Sequence, residues 1–297
     1  MHCLKSVWFD ILALAPVLWG VMTPGFAASN VDPSHAQVWS ANIGWLTWRP
    51  DSATGVEVGQ FICSGSIYSA NLGWISLGNG SPANGIQYQN NSASDFGVNV
   101  DAAGHLQGFA YSANAGWIHF DSGNGGAPKV DLATGKLSGL AYGANIGWLS
   151  LGDVSFSLQV DSISAGADTD GDGIPDAWEL LYAGNLTTFS ATSDFDRDGS
   201  TDLEEYLAGT NPLDPNDNLR VVRFTLSPDK SSASISWTTK PNRQYRIATR
   251  TDFGSTNPWQ DSNLGLFLPD GELTTRTLPT ELPSESFRIE AFRPLSP

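Results

Sequence analysis

Two acidic twelve-residue stretches carry the residue types and spacing most able to do chemistry in this chain. Asp168 to Glu179 reads D-T-D-G-D-G-I-P-D-A-W-E, and Asp194 to Glu205 reads D-F-D-R-D-G-S-T-D-L-E-E. Both fit D-x-D-x-D-G-x-x-D-x-x-E at every fixed position. Carboxylates at positions 1, 3 and 5 (Asp168, Asp170, Asp172; Asp194, Asp196, Asp198) lie on one curling loop, so their oxygens can converge on a hard cation. Gly173 and Gly199 at position 6 permit the sharp turn. A backbone carbonyl at position 7 (Ile174, Ser200), an Asp at 9 (Asp176, Asp202) and a bidentate Glu at 12 (Glu179, Glu205) complete an oxygen cage of the size Ca²⁺ takes. A solvated acidic loop is the plain alternative for one match. Two full matches 26 residues apart argue against it.

The formal charge of −16 is concentrated there. Residues 161–218 hold fourteen acids against Arg197 alone, a net of −13; 29–160 carry −5 and 219–297 carry +2. Like charges this dense repel, so the middle segment should be loose without metal and compact with it. No basic stripe exists to neutralise phosphates, which excludes nucleic acid as a partner.

The first residues, 1–27, read as an export signal. Lys5 precedes an apolar run from Ile11 to Met22, and Gly25-Phe26-Ala27 places small residues at a cleavage site before Ala28. The run is shorter than the roughly 20 residues a span needs, so no transmembrane segment is expected in the mature chain. Cys63 then stands alone, flanked by Phe61 and Ile62, and reads as a small buried hydrophobe.

Composition changes twice along the chain, dividing it into 28–160, 161–218 and 219–297. The first part is rich in Gly, Ser, Asn and aromatics and contains a four-fold repeat. Trp39-Ser-Ala-Asn-Ile-Gly-Trp45-Leu-Thr-Trp48 returns from Tyr68 to Leu77, from Tyr111 to Phe120 and from Tyr142 to Leu151. The repeat asparagines Asn42, Asn71, Asn114 and Asn145 are 29, 43 and 31 residues apart, which suits one supersecondary unit per repeat. Each unit reads as about three short antiparallel strands with a turn at Asn-x-Gly, where residues must tolerate positive φ. A closed or stacked all-β domain follows. Residues that every repeat requires are usually those it needs for packing. Trp45, Trp74, Trp117 and Trp148 are therefore expected in the core, and any ligand surface on Trp39, Trp48 and Tyr88. The competing reading makes the repeat tryptophans a sugar-stacking array.

The last part alternates with period two at 221–226, 233–237, 244–248, 273–278 and 286–292, separated by turn signals. A small β-sandwich of about six strands is expected, with Trp237 and Tyr245 as core anchors. Between the two β parts, 176–183 and 202–208 read as short helices stopping at Gly184 and Gly209. The fold class is thus mainly β: a four-repeat antiparallel domain, a loop–helix calcium module and a C-terminal sandwich.

The two loops, with Glu205-Tyr-Leu-Ala-Gly-Thr-Asn-Pro212 and Asp214-Pro-Asn-Asp217 behind them, resemble bacterial thrombospondin type 3-like repeats, which share their loop with EF-hands and dockerins. That resemblance covers about fifty residues and implies calcium; Asp214 and Asp217 are candidates for a further site. Two departures from an EF-hand stand out. No amphipathic helix precedes Asp168, and Pro175 lacks the N–H that paired EF-hands use between loops. The pattern is loop–helix twice, a structural clamp in place of an opening sensor. The aromatic repeats are similar to those of exported bacterial proteins. The last segment looks like a fibronectin type III or related sandwich, and the order resembles large exported proteins of Gram-negative bacteria.

An enzyme is not expected. His35, His105 and His119 are scattered, and no glycine-rich phosphate loop or zinc-type spacing occurs. The reading is a secreted or cell-surface calcium-binding protein whose repeat domain meets a surface ligand, glycan or protein. The alternatives are a glycan-binding accessory module, and a hydrolase built on carboxylates such as Asp95, Asp101 or Asp121. Calcium removal is expected to open 161–218 while both β domains persist.

Overall fold

The computed structural model describes residues 29–51, 55–121, 126–152, 156–250, 258–280 and 285–296. The export signal read at 1–27 lies outside them. The described chain is mainly β with two short helices, and it forms two compact units. One holds residues 29–170, Pro175–Leu186 and the C-terminal end; the other holds Gly171–Ile174 and Thr187–Arg293.

Each aromatic repeat of the first unit folds as one hairpin: β1 (Gln37–Ser40) with β2 (Gly44–Thr47), β4 (Cys63–Ser69) with β5 (Gly73–Gly78), β7 (Leu106–Ser112) with β8 (Gly116–Phe120), and β10 (Lys136–Gly143) with β11 (Gly147–Gly152). Each Asn-x-Gly glycine sits at positive φ, between 69° and 88°, where a Cβ would be strained. Short strands β3 (Glu57–Val58), β6 (Val98–Val100), β9 (Lys129–Val130) and β12 (Leu158–Gln159) flank them, β3 on β4, β6 on β7, and both β9 and β12 on β10. β11 pairs with β10 on one side and β1 on the other, so the hairpins close into a ring. Within a hairpin Trp74 faces Tyr68, whereas between hairpins Ser76 faces Tyr111. The other three junctions show the same two-residue step, which gives the strands the tilt that barrel closure requires.

Strand alternation decides what fills this barrel. Leu46, Ile75, Ile118 and Leu149 point inward, as do Trp48, Leu77, Phe120 and Leu151 two residues on; all eight are buried. Ser40, Ser69 and Ser112 are buried in the layer nearest the turns. The aromatic pairs point out. Trp45 and Trp74 are 51% exposed, Trp117 and Trp148 45%, and Trp39, Tyr68, Tyr111 and Tyr142 are exposed as well. The repeat tryptophans, expected in the core, form an outer belt, and Trp48 and Tyr88, expected at a surface, lie in the interior at 0% and 3%; Trp39 is exposed, as expected. A narrow eight-strand ring has no room for eight large rings at one level, so that layer takes serine inside and aromatics outside.

The repeat asparagines do not hold their own turns. Asn71 Nδ2 donates to Ile43 O, Asn114 to Leu72 O, Asn145 to Ala115 O and Asn42 to Ile146 O, at 2.8–3.1 Å. Each bonds the turn of the preceding hairpin, and the four close a cycle around the barrel end.

The second unit contains two three-stranded sheets. One orders β13 (Val221–Leu226), β14 (Ser232–Thr238) and β17 (Leu273–Pro279); the other orders β16 (Gln260–Asp261), β15 (Gln244–Arg250) and β18 (Ser286–Phe292). Trp237 and Tyr245 are fully buried among Ile235, Ile247, Phe287 and Ile289, the anchoring expected of them.

Candidate metal centre

Both acidic loops lead directly into a helix: α1 (Asp176–Tyr182) follows the first and α2 (Asp202–Ala208) the second. α2 starts with a full capping box, the Thr201 side chain accepting from Glu204 N while the Glu204 side chain takes Thr201 N–H, and ends on Gly209 in the left-handed region. That start places Glu205 in the first turn, wholly buried. Glu179 takes the same place in α1 and is buried too.

Carboxylate oxygens of Asp168, Asp170 and Asp172 lie within 4.8 Å of one another, and so do those of Asp194, Asp196 and Asp198. Two oxygens on opposite sides of a calcium ion lie about 5 Å apart, so the spacing suits that ion. The loop backbone aims them. Asp196 Oδ1 accepts from Asp198 N, Asp198 Oδ1 from Ser200 N, and Asp172 Oδ1 from Ile174 N, each two residues on. Asp194 accepts from the amides of Arg197, Asp198 and Gly199. Two positions in each loop require left-handed backbone: Gly171 and Gly173 in the first (φ 78° and 94°), Arg197 and Gly199 in the second (φ 66° and 102°). The motif displays position 6; position 4 was missed, although Gly171 hints at it.

The fit to a cation is clearest in the second loop. Glu205 Oε2, Asp196 Oδ2 and Asp198 Oδ2 are buried and have no hydrogen-bond partner among the described residues. Burial, followed by the charges of Asp196 and Asp198, pushes the Glu205 carboxyl up to about 8. Burial and then Asp198 likewise raise Asp196. Orphaned, mutually repelling carboxylates in one place are costly unless a cation satisfies them. The acidic clusters are thus compatible with a bound metal ion.

Position 9 has a second task in both loops. Asp176 accepts from Thr169 N at 2.7 Å and Asp202 from Phe195 N at 3.0 Å, so each carboxylate staples the helix start to position 2 of its own loop. Asp202 also accepts from Ser190 N and Ser193 Oγ. Ile174 is buried, and Ser200 donates its backbone N–H to Asp198 Oδ1 at 2.7 Å. Asp217 forms an ion pair with Lys240 at 2.5 Å and Asp214 accepts from Asn216, so both have partners of their own.

Other candidate residues serve their own turns. His35 pairs with Asp32, His105 with Asp101, and His119 stacks on Phe109 at 4.6 Å. Asp95 accepts from the amides of Ala83 and Gln89. Cys63 is fully buried, and burial raises its thiol far above the usual range. No helix among the described residues is long and apolar enough to cross a membrane.

Residues 168–184 and 194–215 match a family model described as the bacterial TSP3 repeat, the two stretches that contain the acidic loops and their helices. No curated protein and no solved structure matches the chain.

Proposed function

We propose that the protein is an exported, non-enzymatic surface or matrix protein. Calcium, held by the two acidic loops, stabilises the connection between its β units, and the repeat barrel meets a partner. The observation that carries the calcium part is the convergence of buried, partnerless oxygens from Asp196, Asp198 and Glu205 on one loop. Calcium when bound supplies a fixed positive charge that lets these acids remain ionised while buried. Asp194, Asp196, Asp198 and Glu205 would hold one ion, and Asp168, Asp170, Asp172 and Glu179 a second. Export is supported by the match to a repeat typical of extracellular proteins and by the leader-like start of the sequence.

Titration calorimetry tests the reading. Two binding events are expected, with dissociation constants between about 10⁻⁷ and 10⁻³ M. Asp194→Ala should remove one and Asp168→Ala the other. A wild-type chain that shows no calcium heat at millimolar metal overturns it.

A further inference from the structure

The outer belt of the barrel has no role in the calcium reading, and its chemistry is specific. Four cross-strand aromatic pairs repeat around one end, each formed by an aromatic residue and the tryptophan six positions on. Ring centroids lie 4.8–5.1 Å apart in all four. In two pairs additional phenylalanines pack on the tryptophan, Phe156 on Trp45, and Phe96 and Phe109 on Trp117. Among the described residues no third ring packs on Tyr68–Trp74 or Tyr142–Trp148. The rings of these open pairs are 38–51% exposed, as are those of the other two.

Polar groups accompany the rings by strand register. Thr47 faces Tyr68 and His119 faces Tyr142 across the hairpin junctions. Each open pair is therefore an aromatic platform with a hydrogen-bonding side chain beside it. Interior packing needs none of this, because the inward residues of the same strands already fill the core. Eight large exposed rings also carry an aggregation cost that a purely structural surface has no reason to bear.

Charge selects among possible occupants. The eight barrel strands contain one formally charged side chain, Lys136. Residues 29–160 are net −5, so an acidic polymer or an anionic lipid surface meets repulsion and no basic counterpart. A sugar ring presents an apolar C–H face for stacking and hydroxyls for a neighbouring Thr or His, and needs no counter-charge. Tyr and Trp suit that mixed surface, each having an apolar body and a polar tip.

We infer that the Tyr68–Trp74 and Tyr142–Trp148 pairs each bind a sugar unit of a neutral polysaccharide. This rests on the reading of the barrel as the partner-binding unit and names its ligand class.

Affinity electrophoresis of the calcium-loaded full chain tests this. Gels carry dextran, laminarin, mannan or xyloglucan as neutral probes and alginate as an anionic one. Cosedimentation with phosphatidylcholine and phosphatidylglycerol vesicles runs in parallel. At least one neutral probe should retard the protein, and the double variant Trp74→Ala, Trp148→Ala should weaken that about tenfold or more. Because both side chains are outside the core, the double variant should melt with the wild type, and Trp148→Phe should keep most of the binding. No retardation in any neutral gel overturns the inference. So does retardation that the double variant leaves unchanged, or binding confined to alginate or vesicles. Failure in the neutral gels with Trp-dependent vesicle or alginate binding leaves the barrel as partner-binding unit standing. A double variant equal to wild type against every probe that binds removes that reading as well.

Discussion

Glu205 concentrates the electrostatics of the second loop in one side chain. Its carboxyl is raised from an ordinary 4.5 to about 8 by burial first and by Asp196 and Asp198 next. An acid raised in the folded state contributes full stability below its unfolded value and loses it as pH climbs through the folded one. Metal-free protein should therefore become less stable between about pH 4.5 and 8, by at most about 5 kcal/mol. Calcium favours the ionised form and should abolish that decline. Thermal melts across pH in chelator and in millimolar calcium check this; Glu205→Gln should flatten the chelator profile, and a chelated wild type that gains stability over this window contradicts it. The aromatic residues make a second prediction at this scale. Trp48→Ala empties a fully buried site and should cost about 3–5 kcal/mol, whereas Trp117→Ala, at the surface, should cost under about 1 kcal/mol in chemical denaturation.

At the level of elements, the weak points of the barrel are the seams between hairpins. Inside a hairpin the ladder runs over four or five residue pairs, but β5 meets β7 through Ser76 and Tyr111 alone. The asparagine cycle lies across those seams. Asn114 bonds Leu72 O in the hairpin before it, 42 residues away in sequence. Asn114→Ala should cost about 1–2 kcal/mol, more than an exposed turn substitution normally does, and amide exchange should quicken first in β5 and β7. In the second loop, Arg197 takes a backbone conformation that suits glycine, the residue the first loop has there at Gly171. Arg197→Gly should raise the stability of the calcium-loaded protein by about 1 kcal/mol, read from its thermal midpoint.

At the scale of the molecule, α2 ties the second loop to the sandwich. Ala208 and Leu219 belong to the sandwich core, and the buried Arg243 guanidinium donates to Tyr206 O and Leu207 O at 2.7 and 2.6 Å. A cation at carbonyls in the last turn of a helix is favourable. The sequence suggested that both β domains would persist when calcium is removed. With α2 built into the second unit, chelation should instead loosen the sandwich together with the loop, while the barrel strands keep their protection. Hydrogen exchange with and without EDTA checks this; one site at 100 times its dissociation constant adds about 2.7 kcal/mol, ample to read. Protection lost first in β4, β7 or β10 would be the contrary result.

Local rules account for much of this protein. The D-x-D-x-D-G spacing identified both acidic loops, their glycines at position 6 and the buried glutamates that follow, because these depend on neighbours within twelve residues. Period-two alternation located β13, β14, β15, β17 and β18 almost to the residue, and Gly184 and Gly209 marked where short helices stop. The recurrence of Asn-x-Gly identified four hairpin turns. Alternation states that successive residues take opposite faces, yet not which face is inside, and here the answer came from closure. Once eight strands curl into a narrow ring, Ser40, Ser69 and Ser112 fit inside while Trp39, Tyr68 and Tyr111 must face outward. The asparagine cycle depends on the same closure, since it joins residues 28 to 104 positions apart. At position 9 the motif offers Asp176 and Asp202 as oxygens, and within each folded loop they also accept from the amides of Thr169 and Phe195. Chemistry confined to one loop was legible in the sequence, whereas the inside and outside of the barrel were set by how distant hairpins met.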